Sequence, residues 1–215
     1  MVVKMLSKTS LHTNIAFLIL CLVPLFVSAE DNNPHTIIEK TTAEVLKALK
    51  EDKQEIKNNP NKVNDLVDEI ILPICDVERM SKYILAKHWK SASIEQRNAF
   101  IIEFKQILIR NYGSHLAEYS NAKVTVMPNK IIEEKLYQTV STKLDARIGS
   151  KPLLVDYVFR VADGTSKVVD VRVEGMSILK TFRTAFTKEI AETSLVDLIE
   201  RITLVNQPSL AMNNL

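Results

Sequence analysis

The chain has 215 residues, 46% of them hydrophobic and 25% charged, with 28 Lys and Arg against 26 Asp and Glu. That length supports one domain with a sizeable core, and the mix of apolar and charged residues excludes wholesale disorder. A net charge of +2 exerts little pull on a polyanion, and the four glycines (Gly113, Gly149, Gly164 and Gly175) form no phosphate-cradling loop, so neither nucleic acid nor nucleotide is expected as a partner.

Residues 1–29 have the layout of a secretory signal peptide. Lys4 and Lys8 precede an uncharged apolar run from Ile15 to Val27, and Val27-Ser28-Ala29 supplies small residues at the cleavage site. The run is shorter than the ~20 residues a helix needs to cross a bilayer, and Pro24 interrupts it. Bulky Leu20 before Cys21 argues against a lipid attachment site. Cleavage after Ala29 leaves a single domain of residues 30–215, with 26 basic and 26 acidic side chains, and Cys75 as its lone cysteine. A lone cysteine forms no internal disulfide. Its apolar surroundings, Ile70 to Ile74, mark it as a small buried hydrophobe rather than a reactive thiol.

From Pro34 to Tyr119 the apolar spacing is helical. Ile37, Ile38, Val45, Leu46 and Leu49 form one stripe. Asn58-Asn59-Pro60 breaks it, and Pro60 can open a second helix carrying Val63, Leu66, Val67, Ile70 and Ile71 before Pro73. Asp76 caps a third helix, with Val77, Met80, Ile84 and Leu85 inward. Ser93 and Gln96 form a capping box for a long fourth helix. Its stripe runs through Phe100, Ile101, Phe104, Ile107, Leu108, Tyr112, Leu116 and Tyr119. Gly113 in that helix costs ~1 kcal/mol relative to Ala, so it marks a close contact, a bend or a neutral accident.

After Asn121 the period changes to two. Lys123–Met127, Leu136–Arg147, Leu153–Val161 and Lys167–Glu174 read as strands, divided by Pro128-Asn129, Gly149-Ser150 and Asp163-Gly164. A three-residue loop, Asp163-Gly164-Thr165, places Phe159 opposite Val169, Tyr157 opposite Val171 and Val155 opposite Val173, with Asp156 meeting Arg172 on the other face. A two-residue loop shifts the register by one and mixes the faces, which a sheet buried on one side resists. The chain then returns to helix. Ile178, Leu179, Phe182, Phe186 and Ile190 form one stripe, and Ser194 caps a last helix with Leu195, Leu198, Ile199 and Ile202 inward. The expected fold is α+β: a four-stranded antiparallel twisted sheet whose apolar face is covered by helices.

Catalytic patterns are missing. His35, His88 and His115 are not spaced one turn apart, no HExxH or Cys/His cluster occurs, and no GxSxG elbow is present. Asp156 and Arg172 fit a cross-strand pair on a solvated face better than an acid–base dyad. Lys47, Lys50, Lys53 and Lys57 lie among acidic residues, as on a solvated helix face. Neither an enzyme nor a metal protein is the expectation.

The run Asp76-Val77-Glu78-Arg79-Met80 through Tyr83-Ile84-Leu85-Ala86-Lys87-His88-Trp89, then Ala92-Ser93-Ile94-Glu95-Gln96-Arg97 and Phe104 to Tyr112, resembles the MlaC, or toluene-tolerance, family. Val155-Asp156-Tyr157, Asp163-Gly164, Lys167 to Val171, Glu174-Gly175-Met176-Ser177, and Phe182-Arg183 with Phe186 extend the resemblance over nearly all of the exported chain. The family has Leu-Gly at Leu85-Ala86, an aromatic at Ser166 and Asn-Tyr-Arg at Thr181-Phe182-Arg183. The resemblance implies a periplasmic phospholipid carrier with an apolar acyl-chain cavity and no other cofactor. It also implies partners: an outer-membrane lipoprotein–porin complex and an inner-membrane ABC transporter carrying an MCE-domain ring. A monomer is expected. The residues placed at the lipid are Ile107, Leu108, Tyr112, Leu116, Val140, Tyr157, Phe159, Val171, Val173, Met176 and Phe182. Read without the resemblance, the same sheet face and helix stripes fit a dry core better than a cavity. The alternative function is a small periplasmic enzyme or chaperone on a similar cone-shaped α+β fold.

Overall fold

The computed structural model describes residues 32–59, 61–128, 136–145 and 151–207. Residues 1–31, with the expected cleavage junction Ala29–Glu30, and Pro60, Asn129, Arg147 and the expected Gly149-Ser150 turn lie outside those residues.

Helix α1 (Pro34–Glu51) starts where the Asn33 side chain accepts from the His35 backbone N–H at 2.9 Å, with Pro34 in the first turn. Its stripe buries Ile38, Val45 and Leu49. A short α2 (Lys53–Asn58) follows, then α3 (Lys62–Leu66). The expected second helix is not one α-helix. It widens into a π-helical turn at Val67–Ile71 and tightens into a 3₁₀ turn at Leu72–Ile74, where Pro73 denies it a backbone donor. Asp76 caps α4 (Val77–Leu85) by accepting from the Arg79 N–H at 2.9 Å. Ala86 then turns the chain into α5 (Lys87–Ser91). Ser93 and Gln96 make the reciprocal capping box of α6 (Ile94–Leu116), at 2.9 and 3.2 Å.

The sheet has five antiparallel strands in chain order, not four: β1 (Lys123–Val126), β2 (Tyr137–Asp145), β3 (Leu153–Ala162), β4 (Thr165–Val173) and β5 (Met176–Ser177). The fifth strand is only two residues long, below the length at which alternation can be read. It forms because Glu174 and Gly175, both at positive φ, fold the chain back onto β4.

The β3–β4 hairpin corrects the expected register. Its loop has two residues, with Asp163 at φ 55 and Gly164 at φ 71, the type I′ pattern whose twist suits a hairpin. Ala162 therefore pairs Thr165, and Phe159 pairs Val168 rather than Val169. A bulge beyond Phe159 restores the expected pairs Tyr157–Val171, Asp156–Arg172 and Val155–Val173. The extra residue switches the inward parity of β4, so Ser166 and Val168 and then Val171 and Val173 share one face. Asp156 and Arg172 stand opposite each other, but Asp156 accepts from the Ser141 hydroxyl at 2.6 Å, while Arg172 approaches Asp170 at 3.7 Å.

Ser166, where the family has an aromatic, is 4% exposed and donates to the Asn32 carbonyl; the Asn32 amide donates to the Gly164 carbonyl. These bonds strap the start of α1 onto the hairpin. Helices α7 (Ile178–Glu192) and α8 (Leu195–Asn206) are capped by Ser177 and Ser194. They meet α6 and the sheet in the main core, where Phe100, Phe104, Phe182 and Phe186 pack with ring centroids 5.4–6.0 Å apart.

Candidate functional site

The apolar interior does not close into one body. The main cluster joins α4, α6, α7 and α8 to the sheet through Val140, Phe159 and Val168. A second cluster, Val45, Leu49, Ile56, Val63 and Leu66, joins α1 to α2 and α3. A third, Val67, Leu72 and Ile109, lies under the π and 3₁₀ turns. Where these clusters fail to meet, two chambers remain.

The first chamber, of about 140 Å³, lies between α1 and strands β1–β3. Ile38, Thr41, Thr42, Val45, Leu46 and Leu49 form its helical wall, facing Val124, Thr142, Leu144 and Val155 on the sheet. The threonines interrupt the apolar line that Ile38, Val45 and Leu49 trace along α1, and a threonine fills less space there than a leucine would. The second chamber, of about 200 Å³, is lined by α4, α6, β4, the start of α7 and the π turn. Leu72, Cys75, Met80, Leu108, Val171 and Leu179 are among its walls, and Tyr112, 38% exposed, stands at its rim. Ile71, Leu116 and Tyr157 line both chambers.

The chemistry of these walls is uniform. Among the described residues neither chamber is lined by a charged side chain. Burial raises the Tyr157 phenol above its ordinary range; the Thr142 hydroxyl partly opposes this and Cys75 adds to it. Thr142 itself is buried and donates to the Val155 carbonyl at 3.3 Å. Burial pushes the Cys75 thiol up to about 12, outweighing the opposing pull of Lys167, and its S–H donates to the Ile71 carbonyl at 3.4 Å. A thiol held neutral in this way is a poor nucleophile. The walls can solvate hydrocarbon; a charged group placed against them would go uncompensated. Among the described residues no cluster of His, Cys, Asp or Glu could hold a metal ion, and no helix is long and apolar enough to cross a membrane.

The residues expected at a ligand separate into three groups. Leu108, Tyr112, Leu116, Tyr157 and Val171 line the chambers. Ile107, Val140 and Phe159 are buried in the main cluster, and Phe182 packs on Phe104 and Phe186. Val173 shares the inner sheet face beside Val155, whereas Met176 lies on edge strand β5 with 70% of its surface exposed. The walls from α1, β1 and the π turn were not anticipated. Their one sequence signal is the Thr41-Thr42 gap in the α1 stripe.

Comparison with known proteins agrees with this geometry. Residues 39–203 match the profile of the family described as MlaC protein. The toluene tolerance protein ttg2D of Pseudomonas putida is 35% identical over 169 residues, covering 78% of this chain and 77% of that protein. The intermembrane phospholipid transport system binding protein MlaC of Haemophilus influenzae is 22% identical over 170 residues, 78% of this chain and 79% of its own length. The structure of a phospholipid-binding protein from Ralstonia solanacearum, in complex with a phospholipid, superposes with a TM-score of 0.73 at 25% identity, covering 80% of this chain and 96% of that one. Family profile, relatives and fold agree over the helices and sheet that enclose the chambers, and this chain belongs to the MlaC family.

Proposed function

We propose that residues 30–215 form a single-domain periplasmic phospholipid carrier, exported by residues 1–29. The carrying observation is a pair of uncharged apolar chambers beneath the sheet, in a chain whose relatives are named for phospholipid transport and binding. The two tails of a phospholipid bring roughly thirty methylenes, each gaining ~0.8 kcal/mol on leaving water. Even after heavy discount for the entropy of ordering and for opening the cavity, release into water is very slow. Lipid must therefore pass to a partner that opens the carrier, and net direction must come from outside this chain. In this reading it moves lipid between an outer-membrane lipoprotein–porin complex and an inner-membrane MCE-domain ABC transporter, maintaining outer-membrane lipid asymmetry. It acts as a monomer, with no catalytic step and no cofactor.

Leu108, Tyr112, Leu116, Tyr157 and Val171 touch the lipid directly, and the buried Ile107, Val140 and Phe159 with the half-buried Phe182 shape the walls behind them. Organic extraction of purified protein followed by mass spectrometry should return phospholipid. Val171→Asp, kept folded as judged by circular dichroism, should lose it, because an unpaired charge in this chamber is far costlier than a lost contact. A folded wild-type protein that copurifies without lipid and takes none from vesicles would refute the assignment.

A further inference from the structure

The two chambers meet at one wall. Tyr157 sits on β3, the middle strand of the sheet, within the cross-strand row Val140–Tyr157–Val171. On one side of it Thr142 and Val155 face the first chamber; on the other Val171 faces the second. Ile71 from the π turn and Leu116 from α6 approach from the helical side and also line both spaces. Three side chains from three different elements thus form a septum across what would otherwise be one cavity. The π turn is what presents Ile71 there: widening the helix by one residue per turn shifts the facing side chains relative to an α-helical continuation.

The size of the chambers limits what each can accept. A cavity of ~150 Å³ holds one benzene, so spaces of about 140 and 200 Å³ each admit a short hydrocarbon segment rather than two chains side by side. A full acyl chain must spread the walls of its own chamber, and two chains in one chamber would have to spread them twice as far while the other stayed empty. We infer that a two-chain lipid binds astride the Ile71–Leu116–Tyr157 septum with one acyl chain in each chamber, and that each chamber taken separately is a site for one single-chain amphiphile. This rests on the lipid-carrier reading above and adds chain number and chain placement to it.

Delipidated protein titrated with sodium palmitate tests the arrangement. The wild type should bind two palmitates, and it should retain one phospholipid after incubation with palmitoyl-oleoyl phosphatidylglycerol vesicles. Leu46→Trp fills the first chamber and Met80→Trp the second; each should bind one palmitate. Each should also lose phospholipid retention by about tenfold for every two methylenes kept out of the filled chamber. Leu144→Trp and Val171→Trp are replacements if a member of the first pair fails to fold by circular dichroism. Folded variants that keep two palmitates, or that lose both from the filling of one chamber, would overturn the septum by showing one continuous site. A wild type that binds palmitate one to one while retaining phospholipid would overturn the septum and leave the carrier reading standing. A wild type that binds neither ligand would overturn both.

Discussion

Ala86 is held in a conformation made for glycine, and replacing it should stabilise the protein. The residue joins α4 to α5 at φ 50 and ψ −113, the geometry of the first central position of a type II′ turn. A side chain there costs ~1–3 kcal/mol. Ala86→Gly relieves that strain but restores ~0.4–1 kcal/mol of conformational freedom to the unfolded chain. It also gives up a half-buried methyl, ~0.4 kcal/mol at half the burial of a full group. The net expectation is a gain near 1 kcal/mol, and in a domain of this size that raises Tm by ~2–4 °C. Thermal and urea unfolding followed by circular dichroism measure it, and fluorescence of Trp89, the only tryptophan and the next residue but two, reports the local transition. Ala86 lines neither chamber, so lipid retention should not change. A glycine variant of equal or lower stability would show that the strain argument is wrong and that the α4–α5 turn tolerates a side chain at no cost.

Further expectations concern the long helix, the cysteine and the leader. A methyl built on Gly113 would run into Asn64 Oδ1, the far end of a rotatable side chain, while lying at an ordinary contact distance of 3.5 Å from the Asn64 Cα. Gly113→Ala should therefore keep most of the ~1 kcal/mol helix gain once the Asn64 amide turns aside, and a single variant destabilised in urea unfolding would show that Asn64 is held in place. Cys75, half-buried and held as the neutral thiol, should be alkylated only slowly at pH 8 in the native protein, and labelling as rapid as in the unfolded chain would refute its raised pKa. Its raised pKa keeps the proton in the folded state after the unfolded chain has lost it, so stability should fall as pH rises from about 9 towards 12, and Cys75→Ala should flatten that slope. N-terminal sequencing of exported protein should begin at Glu30; retention of residues 1–29 in a membrane fraction would make that segment an anchor.

The chain by itself determined what depends on neighbours a few residues apart. Asp76, Ser93 with Gln96, and Ser194 cap helices because a cap needs only the next three residues. The period-two runs placed Val140, Tyr157, Phe159, Val171 and Val173 on one sheet face because alternation alone assigns faces. Tertiary structure decided the rest. A two-residue turn with a compensating bulge keeps Val171 and Val173 on the face a three-residue loop would give them and turns Val168 rather than Val169 inward; since both positions are valine, the apolar pattern could not choose between the loops. Strand β5 was too short to alternate, and Met176 was carried out to an exposed edge by two positive-φ residues that no periodicity marks. The π turn at Val67–Ile71 keeps helical spacing in sequence while changing which side chains face inward. Above all, a stripe says which face of a helix is buried but not whether the opposite surface reaches it. Phe159 and Tyr157 lie two residues apart on one strand; the first closes the main core and the second stands between two chambers, because only the packing of α1, α6 and the π turn against the sheet settles where apolar surfaces touch and where they leave room for a ligand.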